Sequence, residues 1–184
     1  MNPSIILSLI ESLRGLDNAG KSTVVQRWLG KDLDGIAPTF GFVIHSLKWS
    51  EMLLSIWDIG GQSSIRSFWR NYFERTDAIV WVVDSSAPER LDLCRGELVK
   101  VMQEQRLLSA SLLILANKQD LPGAVSLATI KEALAWDWLQ TRCSCHVVAC
   151  SAVLGDGVME GLDWLVSDVA KRLYFKPVAP CKDR

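Results

Sequence analysis

The chain is organised around the stretch Gly15-Leu16-Asp17-Asn18-Ala19-Gly20-Lys21-Ser22, which fits the pattern G-x-x-x-x-G-K-[ST] at every fixed position. Such a stretch forms a P-loop, because its glycines let backbone N–H groups turn onto phosphate oxygens where the next helix begins. A lysine at the position of Lys21 reaches the β- and γ-phosphates, and a serine at the position of Ser22 ligates Mg²⁺. A chance match in a chain of this length has odds on the order of 1% or less. The stretch therefore predicts a nucleotide-binding fold.

Length and charge narrow the class of protein further. A chain of 184 residues is long enough for one domain with a sizeable core. Its 20 basic and 21 acidic residues nearly cancel, so no overall field attracts nucleic acid or an anionic membrane, and we expect a monomer that binds no nucleic acid. Five cysteines without framework spacing, and no signal peptide before them, predict a reduced, cytoplasmic protein.

Cys143, Cys145 and His146 lie close enough in sequence to suggest a metal cluster. A structural zinc site needs four ligands, and no fourth ligand follows at a suitable spacing. We therefore interpret these side chains as residues at the edge of a strand.

Apolar runs alternate with helical patterns after the P-loop. The strand-like runs are 42–47, 52–57, 78–84, 112–116 and 146–150, and helical patterns cover 24–29, 89–105 and 158–173. This alternation predicts an α/β fold, a three-layer P-loop NTPase fold with a mostly parallel central sheet and helices on both faces. The first two runs are joined by a short polar turn, so they form a hairpin and contribute one antiparallel strand.

Polar segments follow three of these strand-like runs, at the edge of the sheet where ligands bind in open α/β folds. Asp58-Ile59-Gly60-Gly61-Gln62 supplies an aspartate that can hold Mg²⁺ and glycines that let the backbone approach a γ-phosphate. Asp120, in Asn117-Lys118-Gln119-Asp120, can accept hydrogen bonds from N1–H and the 2-amino group of guanine, and adenine would leave it unpaired. The backbone N–H groups of Ser151-Ala152 can meet the guanine O6. Together these segments predict that the site takes GTP or GDP with Mg²⁺.

Residues 1–14 disagree with the P-loop that follows them. A buried parallel strand normally shows an unbroken apolar run, but Glu11 and Arg14 interrupt this one. The apolar residues at 6, 9, 10 and 13 fit one face of a helix better. We treat 1–14 as an atypical first strand of lower stability, 15–175 as the domain, and 176–184 as a flexible tail.

Five segments together resemble the Arf family of small GTPases. They are Gly-Leu-Asp-Asn-Ala-Gly-Lys-Ser at 15–22, Pro-Thr-x-Gly-Phe at 38–42, Trp-Asp-Ile-Gly-Gly-Gln at 57–62, Asn-Lys-Gln-Asp-Leu-Pro-Gly-Ala at 117–124 and Cys-Ser-Ala at 150–152. The likeness runs from 15 to about 173, and the segments 65–74 and 79–85 most resemble one Arf-like branch. The resemblance implies a small GTPase fold with an antiparallel interswitch strand. It also implies a molecular switch that hydrolyses GTP slowly unless an activating protein assists.

The resemblance assigns roles to individual residues. Gln62, the catalytic residue, would orient the attacking water, and Gly61 would donate its N–H to the γ-phosphate. The metal ligands would be Ser22, Thr39 and Asp58. The nucleotide would be held by Asp17, Asn18, Ala19, Gly20, Lys21, Ser22, Thr23, Thr39, Gly61, Asn117, Lys118, Asp120, Ser151 and Ala152.

The partners implied by the resemblance are a GTPase-activating protein and effectors, with tubulin-folding cofactors and carriers of lipidated cargo among them. Phe42, Trp57 and Tyr72 match the family's effector triad, although core packing is the alternative for Trp57, since aromatic residues on strands usually belong to the core. Asn2 stands where the family often has a myristoylated glycine, so no N-myristoyl anchor is expected.

Two other functions stay open on the sequence. A nucleotide-deficient Arf-like scaffold would keep the effector face without the enzyme, and the abnormal first strand motivates it. A P-loop kinase of small metabolites would need a lid and acceptor-binding arginines, whose pattern we do not find, and residues 117–120 favour guanine binding instead.

Overall fold

The computed structural model describes residues 7–50, 52–66, 69, 76–107 and 109–174. The expectations for Asn2, for Tyr72 and for the tail at 176–184 lie outside these residues. The strands are β1 Leu7–Arg14, β2 Phe42–Trp49, β3 Met52–Ile59, β4 Ala78–Asp84, β5 Ser111–Asn117 and β6 Cys145–Ala149. The helices are α1 Lys21–Trp28, α2 Ser63–Arg66, α3 Leu91–Met102, α4 Leu127–Ala133, α5 Trp136–Arg142 and α6 Val158–Tyr174.

The six strands form one sheet in the order β2-β3-β1-β4-β5-β6. All neighbours run parallel except β2 and β3, which form an antiparallel hairpin. The predicted fold class, with its single antiparallel interswitch strand, is confirmed. Because β1, β4, β5 and β6 run the same way, the loops that follow them meet at one edge of the sheet.

Two apolar clusters cover the two faces of this sheet. One packs α1 and α6 against it, and the apolar residues of α6 in this cluster include Leu162, Leu165, Val166 and Val169. The other packs α3, α4 and α5 against the opposite face. The three layers bury β4 and β5 almost completely, as a parallel sheet requires. In the described part of the chain, no helix combines the length and apolar character needed to cross a membrane.

Residues 7–14 form the central strand β1, although the apolar spacing near the N-terminus fits a helix better. Its backbone pairs with β3 from Leu7 to Leu13 and with β4 from Glu11 to Arg14. Backbone pairing does not depend on which side chains a strand carries, so two parallel neighbours outweigh the helical spacing of the apolar residues.

Arg14 shows how β1 accommodates a charged residue. Its side chain is fully buried, yet one guanidinium nitrogen donates to the Trp69 carbonyl oxygen at 3.3 Å. The guanidinium carbon also lies 5.6 Å from the centroid of the Trp69 ring, a cation–π contact. The buried charge therefore joins the first strand to the segment that follows Gln62.

The helices α4 and α5 were not predicted. Each has only seven residues, which is too short to establish an apolar periodicity. A signal was present at the start of α4, where the Ser126 hydroxyl accepts a hydrogen bond from the Thr129 N–H at 3.2 Å. Serine in this position caps a helix N-terminus.

Candidate functional site

A cavity of about 870 Å³ lies at the edge where the P-loop ends. Pockets that hold drug-sized ligands fall in this range of volume. Its walls come from the P-loop, the segment 33–39, the glycine segment 60–62 and Val153. The structure thus brings together most of the residues predicted to meet phosphate and Mg²⁺, namely Asp17, Asn18, Gly20, Lys21, Ser22, Thr23, Thr39, Gly61 and Gln62.

The P-loop backbone has the conformation that an anion-binding loop needs. Asn18 and Gly20 both have positive φ, 60° and 90°, which turns successive N–H groups toward one side. A Cβ at Gly20 would lie 2.4 Å from the side-chain amide nitrogen of Asn117. Only glycine therefore allows the P-loop and the segment after β5 to approach this closely.

Lys21 lies folded against the loop that carries it. Its ammonium group donates to the carbonyl oxygens of Leu16 at 2.8 Å and Gly15 at 3.2 Å. Burial lowers the pKa of Lys21 to about 8, although the nearby charges of Asp58 and Asp17 act to raise it. A buried ammonium group at the floor of the loop provides the positive charge that a phosphate chain needs.

Three oxygen ligands from three separate motifs converge beside Lys21. The Ser22 hydroxyl donates to one carboxylate oxygen of Asp58 at 2.6 Å, and the Thr39 hydroxyl donates to the same oxygen at 3.3 Å. The two hydroxyl oxygens lie 2.9 Å apart. The predicted metal ligands Ser22, Thr39 and Asp58 are therefore adjacent, although 36 residues separate the first from the last.

The second carboxylate oxygen of Asp58 is buried without a hydrogen-bond partner. Leaving such a charged acceptor unsatisfied costs free energy, unless a cation or a water meets it. Hydroxyl and carboxylate oxygens are the ligands that Mg²⁺ prefers. The donor set and the unsatisfied oxygen together fit a Mg²⁺ ion.

Gly61 packs directly against the P-loop. A Cβ there would lie 2.4 Å from the carbonyl carbon of Leu16 and 2.5 Å from the Asp17 nitrogen, so any larger residue would displace the backbone. The preceding Gly60 donates its N–H to the Gly41 carbonyl at 2.9 Å. The glycine segment therefore joins the P-loop to the loop that ends at β2, and Gln62 lies beside it, partly exposed.

Two arginines at this end were not predicted. Arg66 donates to an Asp17 carboxylate oxygen at 3.1 Å, and Arg90 donates to the same oxygen at 2.8 Å. Burial would raise the pKa of Asp17, but the hydrogen bond and charge of Arg90, with the charge of Arg66, hold it below its ordinary value. Neither arginine belongs to a nucleotide motif, so the sequence offered no signal for this cluster.

Asn117 ties the base side of the site to the P-loop. Its amide nitrogen donates to the Ala19 carbonyl at 2.9 Å, and its amide oxygen accepts from the Ala152 N–H at 2.9 Å. One buried side chain therefore fixes three segments that were predicted to hold the nucleotide. Ser151 is buried beside it, and Asp120 is exposed.

Lys118 has positive φ, 67°, and its ammonium group donates to a carboxylate oxygen of Asp84 at 2.6 Å. Burial would raise the pKa of Asp84, but hydrogen bonds from Lys118 and from the side chain and N–H of Ser86 hold it below its ordinary value. The pair fixes the lysine stem beside the base loop. Sequence reasoning missed Asp84, although its place at the end of β4 puts it on the functional edge.

Comparison with known proteins decides the family. The model of the ADP-ribosylation factor family matches residues 10–169. The chain belongs to the ADP-ribosylation factor family. The predicted Arf resemblance is therefore confirmed.

Relatives of this Arf family protein point to one branch of the family. ADP-ribosylation factor-like protein 2 of Arabidopsis thaliana is 50% identical over 161 residues, covering 88% of this chain and 87% of the relative. The protein of the same name from Drosophila melanogaster is 50% identical over 164 residues, covering 88% of each chain. The Arf-like branch suggested by residues 65–74 and 79–85 is thus ADP-ribosylation factor-like protein 2.

A solved structure shares the fold of this Arf family protein. The Arl6 BBS3 small GTPase of Trypanosoma brucei, with bound nucleotide analogue GppNp, superposes with a TM-score of 0.83 at 27% identity. The match covers 90% of this chain and 99% of the other.

Two of the three predicted effector aromatics of this Arf family protein meet on the hairpin. Phe42 and Trp57 stack with ring centroids 5.4 Å apart and planes at 18°. Phe42 is 42% exposed, whereas Trp57 also packs against the apolar cluster on the α3 face. The core alternative for Trp57 is therefore partly right, and Phe42 presents the aromatic surface.

The cysteines considered for zinc have other surroundings. Cys143 and Cys145 pack against the apolar cluster, and His146 stacks on Trp164 with centroids 4.9 Å apart. The described residues contain no group of three or more histidine, cysteine or acidic side chains that could hold a metal ion.

Proposed function

We propose that this Arf family protein is a GTP-binding switch that hydrolyses GTP to GDP and phosphate. The observation that carries the proposal is the convergence of Ser22, Thr39 and Asp58, one residue from each of three phosphate-binding segments. The Arf family is a family of GTP hydrolases, and the T. brucei relative was solved with GppNp, a GTP analogue.

The bound nucleotide would lie with its phosphates along the P-loop, held by backbone N–H groups from Asp17 to Thr23 and by Lys21. Asn117, Lys118, Asp120, Ser151 and Ala152 would hold the base. The bonds that join Asn117 to Ala19 and Ala152 support this placement, because they set the base loops at a fixed distance from the phosphate loop. A carboxylate at Asp120 would select guanine, since adenine offers no donor pair to it.

Mg²⁺ would be held by Ser22, Thr39 and Asp58. When bound, it neutralises charge that develops on the β- and γ-phosphate oxygens. Before that, the hydroxyl groups of Ser22 and Thr39 donate to Asp58 and keep its carboxylate in place for the ion.

In the hydrolysis step, a water oxygen would attack the γ-phosphorus while the bond to the β–γ bridging oxygen breaks. Gln62 would orient this water, and the Gly61 N–H would meet a γ-phosphate oxygen. No arginine is among the described residues that line the cavity. A GTPase-activating protein that supplies one would raise the rate by about 10³ to 10⁵.

Single-turnover hydrolysis of GTP by the wild type and by Gln62→Leu tests this proposal. We expect the substitution to slow the chemical step roughly 100-fold, as loss of a group that positions the nucleophile does, while GTP affinity stays within a few-fold. Gln103→Leu, at an exposed position beyond α3, is the matched control and should hydrolyse at the wild-type rate. An unchanged rate in Gln62→Leu would remove the catalytic assignment, and a wild type that binds no GTP would remove the function.

The scaffold alternative depended on an abnormal first strand. Since β1 pairs with β3 from Leu7 to Leu13 and its residues Ser12, Leu13 and Arg14 are buried, nothing in the described residues favours that alternative.

The proposed partners are effectors that bind Phe42, Trp57 and Tyr72 in the GTP state, such as a tubulin-folding cofactor or a carrier of lipidated cargo. The protein itself would act as a cytoplasmic monomer. The exposed Phe42, stacked on the partly buried Trp57, supports such a contact, because large apolar side chains dominate protein interfaces. Phe42→Ala should weaken GTP-dependent binding of the purified carrier at least tenfold and leave nucleotide affinity within a few-fold. Equal binding by the variant would place the contact elsewhere.

A further inference from the structure

The two peptide planes on either side of Gly61 are each held by a side chain that comes later in the chain. The indole nitrogen of Trp69 donates to the Gly60 carbonyl oxygen at 3.2 Å. The Nε of Arg66 donates to the Gly61 carbonyl oxygen at 2.9 Å. Both bonds act on the backbone directly before Gln62.

A hydrogen bond that fixes a carbonyl group also fixes the N–H group of the next residue. The two groups belong to one planar trans peptide and point in opposite directions. No cis peptide occurs among the described residues. Trp69 is 2% exposed and belongs to the buried cluster on the α3 face, so the Gly60 carbonyl points into the protein. The Gly61 N–H therefore points the other way, toward the cavity that Gly61 lines. By the same geometry, Arg66 sets the direction of the Gln62 N–H.

Trp69 is itself fixed on two sides. Its ring meets Trp81 of β4 edge to face, with centroids 5.7 Å apart and planes at 90°. Its carbonyl oxygen accepts the hydrogen bond from Arg14, whose guanidinium also faces the ring. Because packing and a second hydrogen bond already fix Trp69, its indole N–H can hold the Gly60 carbonyl without losing much further conformational freedom.

Arg66 is held by the Asp17–Arg90 pair. Its terminal nitrogen lies 3.1 Å from an Asp17 carboxylate oxygen, and Arg90 holds the same oxygen at 2.8 Å. Arg90 also donates to the Asp17 backbone carbonyl at 3.0 Å. The guanidinium of Arg66 thereby bridges the P-loop and the Gly61 peptide, which a single-headed donor cannot do.

We propose that Trp69 and Arg66 are positioning residues for the γ-phosphate end of the site, an inference that rests on the GTPase function proposed above. Trp69 presets the Gly61 N–H that would meet the γ-phosphate. Arg66 presets Gln62, which would orient the attacking water. Because GDP lacks a γ-phosphate, both effects belong to GTP alone.

The first test compares the affinities of Trp69→Phe for GDP and for GppNp. Phenylalanine keeps an aromatic ring beside Trp81 and removes the N–H. The loss of one hydrogen bond predicts roughly 3- to 10-fold weaker binding of GppNp, with the GDP affinity unchanged. Trp28→Phe is the matched control, because the Trp28 indole is equally buried and donates to the Val158 carbonyl at 3.0 Å. It should change neither affinity, whatever it does to the thermal midpoint.

The second test measures single-turnover hydrolysis at saturating GTP in Arg66→Gln and Arg66→Lys. We expect Arg66→Gln to lower the rate roughly tenfold or more, since small misplacements of a reacting geometry cost this much, without weakening GppNp binding more than a few-fold. Lysine keeps the charge beside Asp17 but lacks the second donor, so it should restore only part of the rate. Arg95→Gln, on the exposed side of α3, is the control.

The outcomes separate this inference from the proposed function. If the wild type hydrolyses GTP while Trp69→Phe weakens GDP and GppNp equally, or Arg66→Gln turns over normally, the positioning roles are wrong and the function stands. If the wild type neither binds nor hydrolyses GTP, the proposed function fails and the inference fails with it. Should Trp69→Phe not fold, the two Arg66 variants decide the matter.

Discussion

The two ends of the cavity lie at the same edge of the sheet but are built differently. At the base end, Asn117, Ser151 and Ala152 are almost fully buried and are joined through backbone atoms and one amide side chain. At the phosphate end, residues 31–41 contain no helix or strand, and most of them are exposed. That loop meets the core through the side chain of Thr39 and the backbone of Gly41.

This difference separates two properties of a nucleotide switch. Selectivity for the base depends on Asp120, an exposed side chain whose segment is held by buried groups of the core, so moving that segment requires much of the fold to open. The response to the γ-phosphate depends on loop contacts, which open at a lower cost in free energy. Substitutions at the base end should therefore change which nucleotide binds, and substitutions at the phosphate end should change how tightly phosphate is held and how fast it is cleaved.

The largest effect is expected for Lys21→Ala. The variant removes the buried ammonium group while the phosphate charge and the Asp58 carboxylate remain, and truncating one partner of such a pair costs about 2–5 kcal/mol, roughly 30- to 4000-fold in affinity. GDP and GTP should both be weakened, because a lysine at this position reaches the β-phosphate that both nucleotides carry. Fluorescent-nucleotide titration measures this, with the exposed Lys31→Ala as control. Equal affinities in Lys21→Ala and wild type would show that the phosphates lie elsewhere.

Asp120→Asn should act on the base alone. An amide presents donors where guanine also presents donors, and one such mismatch costs about 1–3 kcal/mol, so guanine nucleotides should bind roughly 5- to 150-fold more weakly and xanthine nucleotides more tightly. Hydrolysis of bound GTP at saturation should be unchanged. A variant that kept its guanine affinity would refute the base-recognition assignment.

The low pKa of Lys21, about 8, predicts that nucleotide affinity depends on pH. Above pH 8 the free protein loses this proton, and phosphate binding restores it, so the apparent GDP affinity should fall by up to about tenfold per pH unit. Calorimetry at pH 8.5 in two buffers of different ionisation enthalpy should detect proton uptake on binding. A flat affinity from pH 7 to 9.5 would contradict the assignment of Lys21.

The contribution of Lys21 to the free energy of unfolding should rise with pH, whereas the nucleotide affinity should fall. Because the unfolded chain keeps the Lys21 proton up to its ordinary pKa of 10.5, it binds more protons than the folded protein between about pH 8 and 10.5. The contribution of Lys21 to the free energy of unfolding therefore rises with pH in this window. The comparison of wild type with Lys21→Met, by urea unfolding at pH 7.5 and 9.5, isolates that contribution.

The smallest effect concerns β1, which supports the phosphate end. The Ser12 hydroxyl is buried without a hydrogen-bond partner in the described structure, so Ser12→Ala should raise the free energy of unfolding by about 1 kcal/mol. Ser111→Ala is the matched control, because that equally buried hydroxyl bonds to Asp168 and Arg172, and its loss should destabilise the protein. Urea unfolding of both variants decides the point, and a destabilised Ser12→Ala would mean that its hydroxyl has a partner.

The sequence predicted the elements whose motifs are local. The P-loop, the strands that precede Asp84 and Asn117, and the hairpin of β2 and β3 all lie close to the expected positions, because glycine spacing and unbroken apolar runs are specific signals. Ser22, Thr39 and Asp58 converge because the segments that carry them all lie at the same edge of the sheet.

What the sequence could not predict depends on contacts between distant segments. The apolar spacing in residues 1–14 favoured a helix, and only the two neighbouring strands make β1 a strand. The bonds from Trp69 and Arg66 to Gly60 and Gly61 link side chains to backbone across a turn, and no residue pattern marks them. Pairing of Asp17 with Arg90 spans 73 residues and leaves no local signal.

Competition for bound fluorescent GDP is the decisive experiment for a guanine-nucleotide site, because it probes both ends of the cavity at once. Wild-type protein is titrated with GTP, ATP and XTP, with and without Mg²⁺, and Asp120→Asn is treated in the same way. The account predicts that GTP displaces the probe, that ATP does not at concentrations 100-fold higher, that Mg²⁺ tightens GTP binding, and that the variant shifts toward XTP. Displacement of the probe by ATP and GTP at equal concentrations, in wild type and variant alike, would contradict a guanine site at the end of β5.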